Sequence, residues 1–359
     1  MSRRTRTLEL IVYLIFLAAV FEGLTRLAIS IPRFTNRIPV TDNAWWHDSW
    51  MRRHARTGNA IFYDFDIYDP TKGWAARPDL TDRVAFDNQR LSTNSKGLRG
   101  KTEHAYEKTP GKVRILVLGD SFTFGDEVSD DETYCHYLQE MLPQAEIINM
   151  GVHGYGHDQM LILFREEGVK YKPDIVLLGF IGMDMPRNVL SFRDYAKPRF
   201  VVRHGKLVLT GTPVPPPEEI LARHPIRSRA LELLAALWER AMKASGLHER
   251  NMEKTTTAIL SEIARLSRSV GATPVFVYLP TAKDLSRPPS PPGEPYLFSA
   301  CKTIGDVRCF SVLPDFTTHF SNVDAFMPGG HWPPPGHRVV AEAIRTYLLD
   351  QGLVGPPAR

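Results

Sequence analysis

The sequence predicts an α/β fold built around one parallel sheet. The first observation is a set of five short apolar runs, the pattern expected of strands that are buried on both faces. They lie at 114–119, 146–150, 174–180, 274–280 and 308–313. The second observation is that helical stretches separate these runs, which predicts right-handed crossovers and helices on both faces of the sheet. In such sheets ligands bind beyond the carboxyl ends of the strands, so we expect the functional site there.

The helical stretches vary in length, and an insertion interrupts the alternation. The main helices are predicted at 131–142, 155–169, 251–270 and 336–350. Between the third and fourth strands, residues 200–211 predict a hairpin with His204-Gly205 at its turn, and an apolar-periodic helix follows at 226–245. A proline cluster at 287–295 follows the fourth strand. These features indicate insertions at about 190–250 and 281–300; a polyproline recognition segment is the alternative for the prolines.

Composition excludes several classes of protein. The chain has 359 residues, of which 43% are apolar and 23% charged, so it has enough apolar material for a real core. A net charge of +4 is spread thinly over a chain of this size and gives no case for a nucleic-acid partner. The 28 prolines, about 8% of the chain, exceed the usual ~5% and indicate ordered loops.

The three cysteines show no metal-binding spacing. Cys135 lies on a predicted helix and is interpreted as a core residue. Cys301 and Cys309 either pair in an oxidising compartment or remain buried thiols.

The N-terminus predicts a membrane anchor. Residues 10–21 are uninterrupted apolar, and the apolar character extends from Leu8 to Ile31, long enough to span a bilayer if Glu22 pairs with Arg26 one turn later. No small-residue cleavage site follows, which favours an uncleaved anchor over a signal peptide. Arg3, Arg4 and Arg6 lie ahead of the run and favour a cytoplasmic N-terminus. Arg26, Arg33 and Arg37 lie after it and weaken the difference in positive charge between the two ends. A buried amphipathic helix is the alternative.

Three regions are therefore expected. Residues 1–31 form the cytoplasmic tip and anchor, 32–110 form an aromatic-rich approach segment that packs on the domain, and 111–359 form the α/β domain outside the cytoplasm. Up to Arg90 the approach segment shows no long helical period.

The strongest chemical signal is the segment GDSFTFGDEV at 119–128. Ser121 comes directly after a buried strand and before a helix, so its hydroxyl and its free backbone N–H lie together at the strand end. A nucleophile with an adjacent anion-stabilising donor is one interpretation, and an ordinary helix N-cap is the other. No phosphate-binding glycine motif is present in the sequence.

A serine nucleophile needs a base, and two histidines near the C-terminus are candidates. His331 lies in a loop that is free to reach the strand ends, whereas His337 heads a helix, where a structural role is the usual one. The intervening prolines 333–335 stiffen that loop.

At these residues the chain resembles the SGNH (GDSL-type) hydrolase superfamily, in particular its membrane-anchored bacterial branch. Gly119-Asp120-Ser121 matches the first sequence block, INMGVHGYGHDQ at 148–159 matches the second, and His331 in GHWPPPGHRVVAEA matches the fifth. NSKGLRG at 94–100 and YAKPRFVV at 195–202 extend the likeness, which runs from about Gly73 to the C-terminus.

The resemblance implies a flavodoxin-like three-layer sandwich and a serine esterase or O-acyltransferase that uses no metal or other cofactor. Ser121 would be the nucleophile, His331 the base, and the N–H groups of Ser121 and Gly154 the oxyanion donors. It also makes acyl esters, including those of cell-envelope polysaccharide, the expected substrates.

Two positions depart from the family pattern. Met183 occupies the slot of the third-block asparagine, and methionine donates no hydrogen bond. Gly329 and Pro328 stand where the family has an aspartate before the histidine, so the usual orienter of His331 is expected to be absent. Asp324 or a backbone carbonyl would then orient His331.

His153 and His157 either supply a substitute donor or are structural. The departures leave two hypotheses, an enzyme that uses Ser121 and His331, or a degenerate binding or assembly protein.

Overall fold

The computed structural model describes residues 3–31, 39–86, 88–222, 228–285, 293–320 and 326–356. The N-terminal part begins with helix α1 (Arg3–Ser30) and helix α2 (Asp42–Thr57). Four short strands follow: β1 (Asp66–Asp69), β2 (Gly73–Ala76), β3 (Arg83–Ala85) and β4 (Gln89–Leu91). They pair as two antiparallel hairpins, β1 with β2 and β3 with β4.

The central part alternates strands and helices, as predicted. Its elements are β5 (Val113–Gly119), α3 (Ser121–Phe124), α4 (Tyr134–Met141), β6 (Ala145–Gly151), α5 (His157–Glu166) and β7 (Ile175–Phe180). The insertion then contributes β8 (Phe192–Arg193), β9 (Tyr195–Ala196), β10 (Arg199–Arg203), β11 (Lys206–Thr210), α6 (Pro217–Ala222) and α7 (Arg229–Ala244).

The C-terminal part completes the sheet. Its elements are α8 (Leu247–Ser269), β12 (Thr273–Tyr278), α9 (Ala282–Leu285), α10 (Gly293–Ile304), β13 (Arg308–Ser311), α11 (Leu313–His319) and α12 (Pro334–Asp350).

The five predicted strands form one parallel sheet in the order β13-β12-β7-β5-β6. Two apolar cores cover its faces, one built mainly from α5, α8 and α10 and the other from α4, α11 and α12. The α/β three-layer architecture expected from the sequence is thus confirmed. Because β5 lies between β7 and the edge strand β6, and all three run parallel, the residues that follow these three strands meet at one end of the sheet.

Helix positions agree with the predictions to within a few residues, with one correction. The approach segment contains the 16-residue helix α2, where no long helical period was expected. Thr41 caps its N-terminus, and Trp46 and Trp50 lie one turn apart on the side that packs on the core. Aromatic residues at helical spacing carried the periodicity, although the charged residues between them obscured it.

Smaller predictions have mixed outcomes. The hairpin of β10 and β11 turns at His204-Gly205, and Cys135 is buried. Cys301 and Cys309 are joined by a disulfide. The start of the helix predicted at 226–245 and most of the proline cluster at 287–295 lie outside the described residues; the described helix α7 begins at Arg229.

Helix α1 has the properties of a membrane span. The most apolar 18-residue window within Arg6–Ser30 has a mean hydropathy of 2.0, and none of it is buried. Among the described helices, only this one is long and apolar enough to cross a bilayer. Glu22 and Arg26 form the expected ion pair at 2.7 Å.

Candidate active site

Ser121 lies at the carboxyl edge of the sheet, at the first position of α3. The Asp120 side chain caps this short helix by accepting a hydrogen bond from the Phe122 N–H at 3.0 Å. The chain therefore turns sharply from β5 into α3, which places the Ser121 hydroxyl at the mouth of a cleft.

His331 reaches Ser121 from the loop that precedes α12. Its Nε2 atom lies 2.8 Å from Ser121 Oγ. The next residue, Trp332, is fully buried and its indole N–H donates to the Pro280 carbonyl at 2.9 Å. The Phe122 ring packs against the imidazole with 4.8 Å between ring centroids. The buried Trp332 next in the chain and the Phe122 ring thus hold the imidazole toward Ser121.

Glu127 lies on the other side of the imidazole. Its Oε2 atom is 2.7 Å from His331 Nδ1, and its other oxygen accepts from the Gly329 N–H at 2.8 Å. Ser121, His331 and Glu127 therefore form a continuous hydrogen-bonded chain, the arrangement found in serine triads.

The carboxylate of Glu127 also explains why glycine occupies position 329. A Cβ atom added to Gly329 would lie 2.5 Å from Glu127 Oε2, so any side chain there would collide with the carboxylate. The Glu127 carboxylate thus lies next to Gly329, the position where the family has an aspartate. The carboxylate partner of His331 is therefore supplied by a residue six positions after Ser121.

The usual aspartate is absent, as the sequence shows, and Glu127 is a partner of His331 that sequence reasoning missed. Asp324, proposed from the sequence as the orienter, lies outside the described residues. The available signal was the acidic pair Asp126-Glu127 at the end of the serine motif. The chain leaves α3 through Gly125 in the left-handed region at φ 88°, and Glu127 itself has φ 66°, which turns its side chain back toward the cleft.

The charges around His331 suit a proton acceptor. Burial alone would lower the pKa of His331, but the hydrogen bond to Glu127 and the carboxylates of Asp126 and Asp120 outweigh burial and raise it. Burial would raise the pKa of Glu127, but hydrogen bonds from His331 and Gly329 outweigh it and keep this pKa below its ordinary value. The carboxylate therefore stays ionised and favours the imidazolium form of its partner.

Ser121 and Gly154 both line the cleft, and each has a backbone N–H group. Within the described part of the chain, no hydrogen bond uses the N–H of Ser121 or of Gly154. Gly154 has φ 74°, and a Cβ there would lie 3.2 Å from the Trp74 ring and 3.3 Å from Arg193 Nη1. The strand-end loop thus requires glycine at this position, and it leaves two donors for an oxyanion.

The slot of the missing third donor remains without one. Met183 lies in a short 3₁₀ turn, Gly182–Asp184, and its side chain lines the cleft with 42% of its surface exposed. The neighbouring Asp184 is buried and pairs with Arg187 at 2.6 Å. Because Arg187 Nη1 also contacts the Tyr155 carbonyl at 2.8 Å, its hydrogen-bonding capacity is directed into the floor of the cleft.

The three other histidines considered from the sequence, His153, His157 and His337, are fully buried. His153 Nε2 lies 2.7 Å from Asp66 Oδ1 beneath aromatic rings. Burial lowers the pKa of His157 to about 3, and that of His337 also to about 3. His337 accepts a hydrogen bond from the Tyr134 N–H at 3.2 Å. These contacts are those of structural histidines.

The cleft has a volume of about 360 Å³. Besides Ser121 and His331, its lining includes aromatic residues, two arginines and a methionine, among them Phe62, Tyr63, Arg187, Arg193 and Met183. Phe62 and Tyr63 belong to the approach segment, so this segment forms part of the cleft wall. The aromatic content of the segment predicted that it would pack on the domain.

Comparison with known proteins gives similarities among solved structures. No family model and no curated protein matches the chain. An acetyl xylan esterase is 14% identical over 66% of this chain and 100% of its own, with a TM-score of 0.40. A GDSL-like lipase from Bacteroides thetaiotaomicron is 11% identical over 69% and 92%, with a TM-score of 0.39. A lipase/acylhydrolase from Enterococcus faecalis is 14% identical over 69% and 100%, also with a TM-score of 0.39.

These similarities are remote, with identities of 11–14% and TM-scores of 0.39–0.40. The arrangement of Ser121, His331 and Glu127, together with the two free N–H groups, suits the attack of a hydroxyl on an acyl carbon.

Proposed function

We propose that this chain is a membrane-anchored serine esterase or O-acyltransferase of the SGNH type. The observation that carries the proposal is the hydrogen-bonded chain from Ser121 Oγ through His331 to Glu127, at 2.8 Å and 2.7 Å. It lies at the carboxyl edge of a parallel sheet, where α/β proteins place their sites.

The geometry supports a two-step acyl transfer. Ser121 Oγ attacks the acyl carbonyl carbon while His331 Nε2 takes its proton, and the resulting oxyanion accepts hydrogen bonds from the N–H groups of Ser121 and Gly154. The tetrahedral intermediate collapses as His331 returns the proton to the leaving alcohol. Water or a second hydroxyl then attacks the acyl-enzyme by the same route, giving hydrolysis or transfer.

Location and substrate complete the proposal. Helix α1 would span the membrane with the catalytic domain on the extracytoplasmic side, since arginines precede the apolar run. Acyl esters of cell-envelope polysaccharide would be the substrates there, which rests on the resemblance of the sequence motifs. A Cys301–Cys309 disulfide suits an oxidising compartment.

The test is Ser121-dependent turnover by the full chain in detergent. We expect hydrolysis of p-nitrophenyl acetate and covalent labelling of Ser121 by a fluorophosphonate, with the labelled peptide identified by mass spectrometry. Ser121→Ala should lower turnover roughly 10⁴-fold or more and abolish the label. An acetylated oligosaccharide formed from added acceptor would show transfer. Neither turnover nor labelling at Ser121 would contradict the proposal.

A second candidate is a degenerate protein that binds a ligand in the same cleft without turnover. Met183 favours it, because loss of one side-chain oxyanion donor costs roughly 10²–10³ in kcat in acyl-transfer sites. A Ser121→Ala variant that retains ligand binding, together with wild type that neither turns over esters nor takes the label, would support this alternative.

A further inference from the structure

Helix α7 exposes an apolar face, whereas a helix on the surface of a soluble domain usually turns its apolar face toward the core. Four large apolar side chains on one face are 46–70% exposed; they are Leu231, Leu234, Leu237 and Trp238. Residues spaced three, four and seven positions apart share one helix face, so these side chains form a continuous apolar stripe along α7.

Two charged residues of α7, Glu239 and Lys243, contact the start of α2 on the other side of the helix. Lys243 contacts both carboxylate oxygens of Asp42 at 2.8 Å, and it also contacts Glu239 at 2.9 Å. Glu239 accepts from the Asp42 N–H at 3.1 Å. The start of α2 thus holds the polar side of α7, and the apolar side is directed outward. Arg240 is the exposed charge beside the stripe.

The beginning of α7 is attached to α1 well inside its apolar segment. The Glu22 carboxylate accepts hydrogen bonds from Ser228 Oγ at 2.7 Å and from the N–H groups of Arg229 at 3.0 Å and Ala230 at 2.9 Å. Glu22 lies nine residues before Ile31, and at 1.5 Å per residue this is about 13 Å along α1. If α1 spans the bilayer, the N-terminus of α7 therefore lies below the membrane surface.

Further along, α7 approaches the start of α2. Ile29, Ala44 and Leu233 line a small apolar cavity between α1, α2 and α7, and Lys243 at the other end of α7 reaches Asp42. The helix thus rises from the depth of Glu22 toward the start of α2. Its 16 residues correspond to about 24 Å, too short to span a bilayer but suited to its interfacial region.

We propose that α7 is a second membrane-embedded element, whose apolar stripe inserts into the outer leaflet beside α1. The inference rests on the proposed anchor. A tryptophan at the headgroup level and an arginine that extends to lipid phosphate are typical of such helices, and Trp238 and Arg240 occupy these positions on α7. Two membrane elements would fix the orientation of the catalytic domain, because α2 joins α7 to the cleft wall through Trp46, which lies 4.6 Å from the Arg193 guanidinium.

The test measures the depth of single fluorescent labels in the full chain, with one chain in each lipid nanodisc. An environment-sensitive fluorophore is attached to Leu231→Cys or Trp238→Cys. Leu14→Cys serves as the control within α1, and Val84→Cys as an exposed apolar position on β3. The unsubstituted chain gives the background from buried Cys135. Each variant is used only if its thermal unfolding midpoint matches wild type.

We expect lipids that carry a nitroxide on the acyl chain to quench the labels at positions 14, 231 and 238 several-fold more than the label at 84. The label at 231 should lie deeper than that at 238, since α7 begins at the depth of Glu22. Labels at 231 and 238 that behave like the label at 84, while position 14 is quenched, would overturn the inference. An unquenched label at position 14 would instead contradict the anchor.

A second copy is the other possible occupant of the stripe, and it too is open to test. Labels at 231 and 238 that are shielded only in nanodiscs loaded with several chains, without lipid quenching, would overturn the membrane assignment in favour of a dimer.

Discussion

The two sides of the Ser121 hydroxyl differ in how they depart from the family pattern. On the base side, glycine replaces the usual aspartate, and Glu127 supplies a carboxylate 2.7 Å from His331 Nδ1. On the oxyanion side, Met183 occupies the slot of the usual asparagine and lines the cleft, and its side chain has no hydrogen-bond donor. A missing motif residue therefore does not imply a missing function, because on the base side a carboxylate from elsewhere in the chain takes the place of the usual aspartate.

The largest expected effect comes from the base side. Glu127→Gln removes the negative charge that orients and stabilises the His331 imidazolium, so we expect kcat/KM to fall by about 10³–10⁴-fold. His331 must be neutral to accept a proton, so activity rises with pH through its raised pKa. The substitution lowers that pKa and should move the acid limb of the pH profile to lower pH. Initial rates between pH 5 and 9 measure both changes.

Three other variants sharpen this test. Glu127→Asp should restore part of the rate, because it keeps the carboxylate. Asp131→Asn removes an exposed carboxylate four residues further on and should leave the rate unchanged. Asp324→Asn should also leave it unchanged, since Glu127 already accepts from Nδ1. A large loss in Asp324→Asn with none in Glu127→Gln would reverse the assignment.

A second prediction concerns the buried carboxyl of Asp126 and its effect on stability at different pH values. Burial raises the pKa of Asp126 to about 6 from an ordinary 3.8, although His153 and His331 oppose the rise. The folded state then binds this proton more tightly than the unfolded state, so the stabilisation is present at low pH and is lost as pH rises from about 4 to about 6. By pH 7 the loss is about 3 kcal/mol.

Asp126→Asn should remove that dependence. The unfolding free energy of the variant, relative to wild type, is expected to increase by up to about 3 kcal/mol between pH 4 and pH 7. Denaturant unfolding in detergent at both pH values measures it. A difference between the two proteins that stays constant with pH would show that Asp126 does not titrate in this range.

The smallest expected effect comes from the oxyanion side. Met183→Asn places a side-chain N–H donor in the slot where the family has one. We expect kcat to rise about tenfold, which is less than the 10²–10³ that one well-positioned donor contributes. Met183→Leu, which changes shape but adds no donor, is the matched control. Equal kcat values for the asparagine and leucine variants would indicate that the existing N–H groups already suffice.

Much of the fold followed from the sequence, because buried parallel strands have a distinctive composition. All five strands were found within two or three residues, and Ser121 followed from its position between β5 and α3. Helix α2 was missed because its apolar positions are mostly tryptophans separated by charged residues, which weakens the periodic signal.

The partner of His331 could not be found from local pattern alone. Glu127 reaches the histidine only because positive φ values at Gly125 and Glu127 turn the chain back after α3, and because Gly329 leaves space for its carboxylate. Glu127 and Gly329 are 202 residues apart in the sequence. The meeting depends on the tertiary packing of the loop before α12, which motif spacing does not report.

The most direct test of the Ser121–His331–Glu127 unit is the rate at which a fluorophosphonate labels Ser121 in the full chain. The rate reports the nucleophilicity of the hydroxyl without requiring the natural substrate. We predict rapid labelling of wild type near pH 8, a decrease of at least about 10²-fold in Glu127→Gln and no change in Asp131→Asn. Equal labelling rates in wild type and Glu127→Gln would contradict the account.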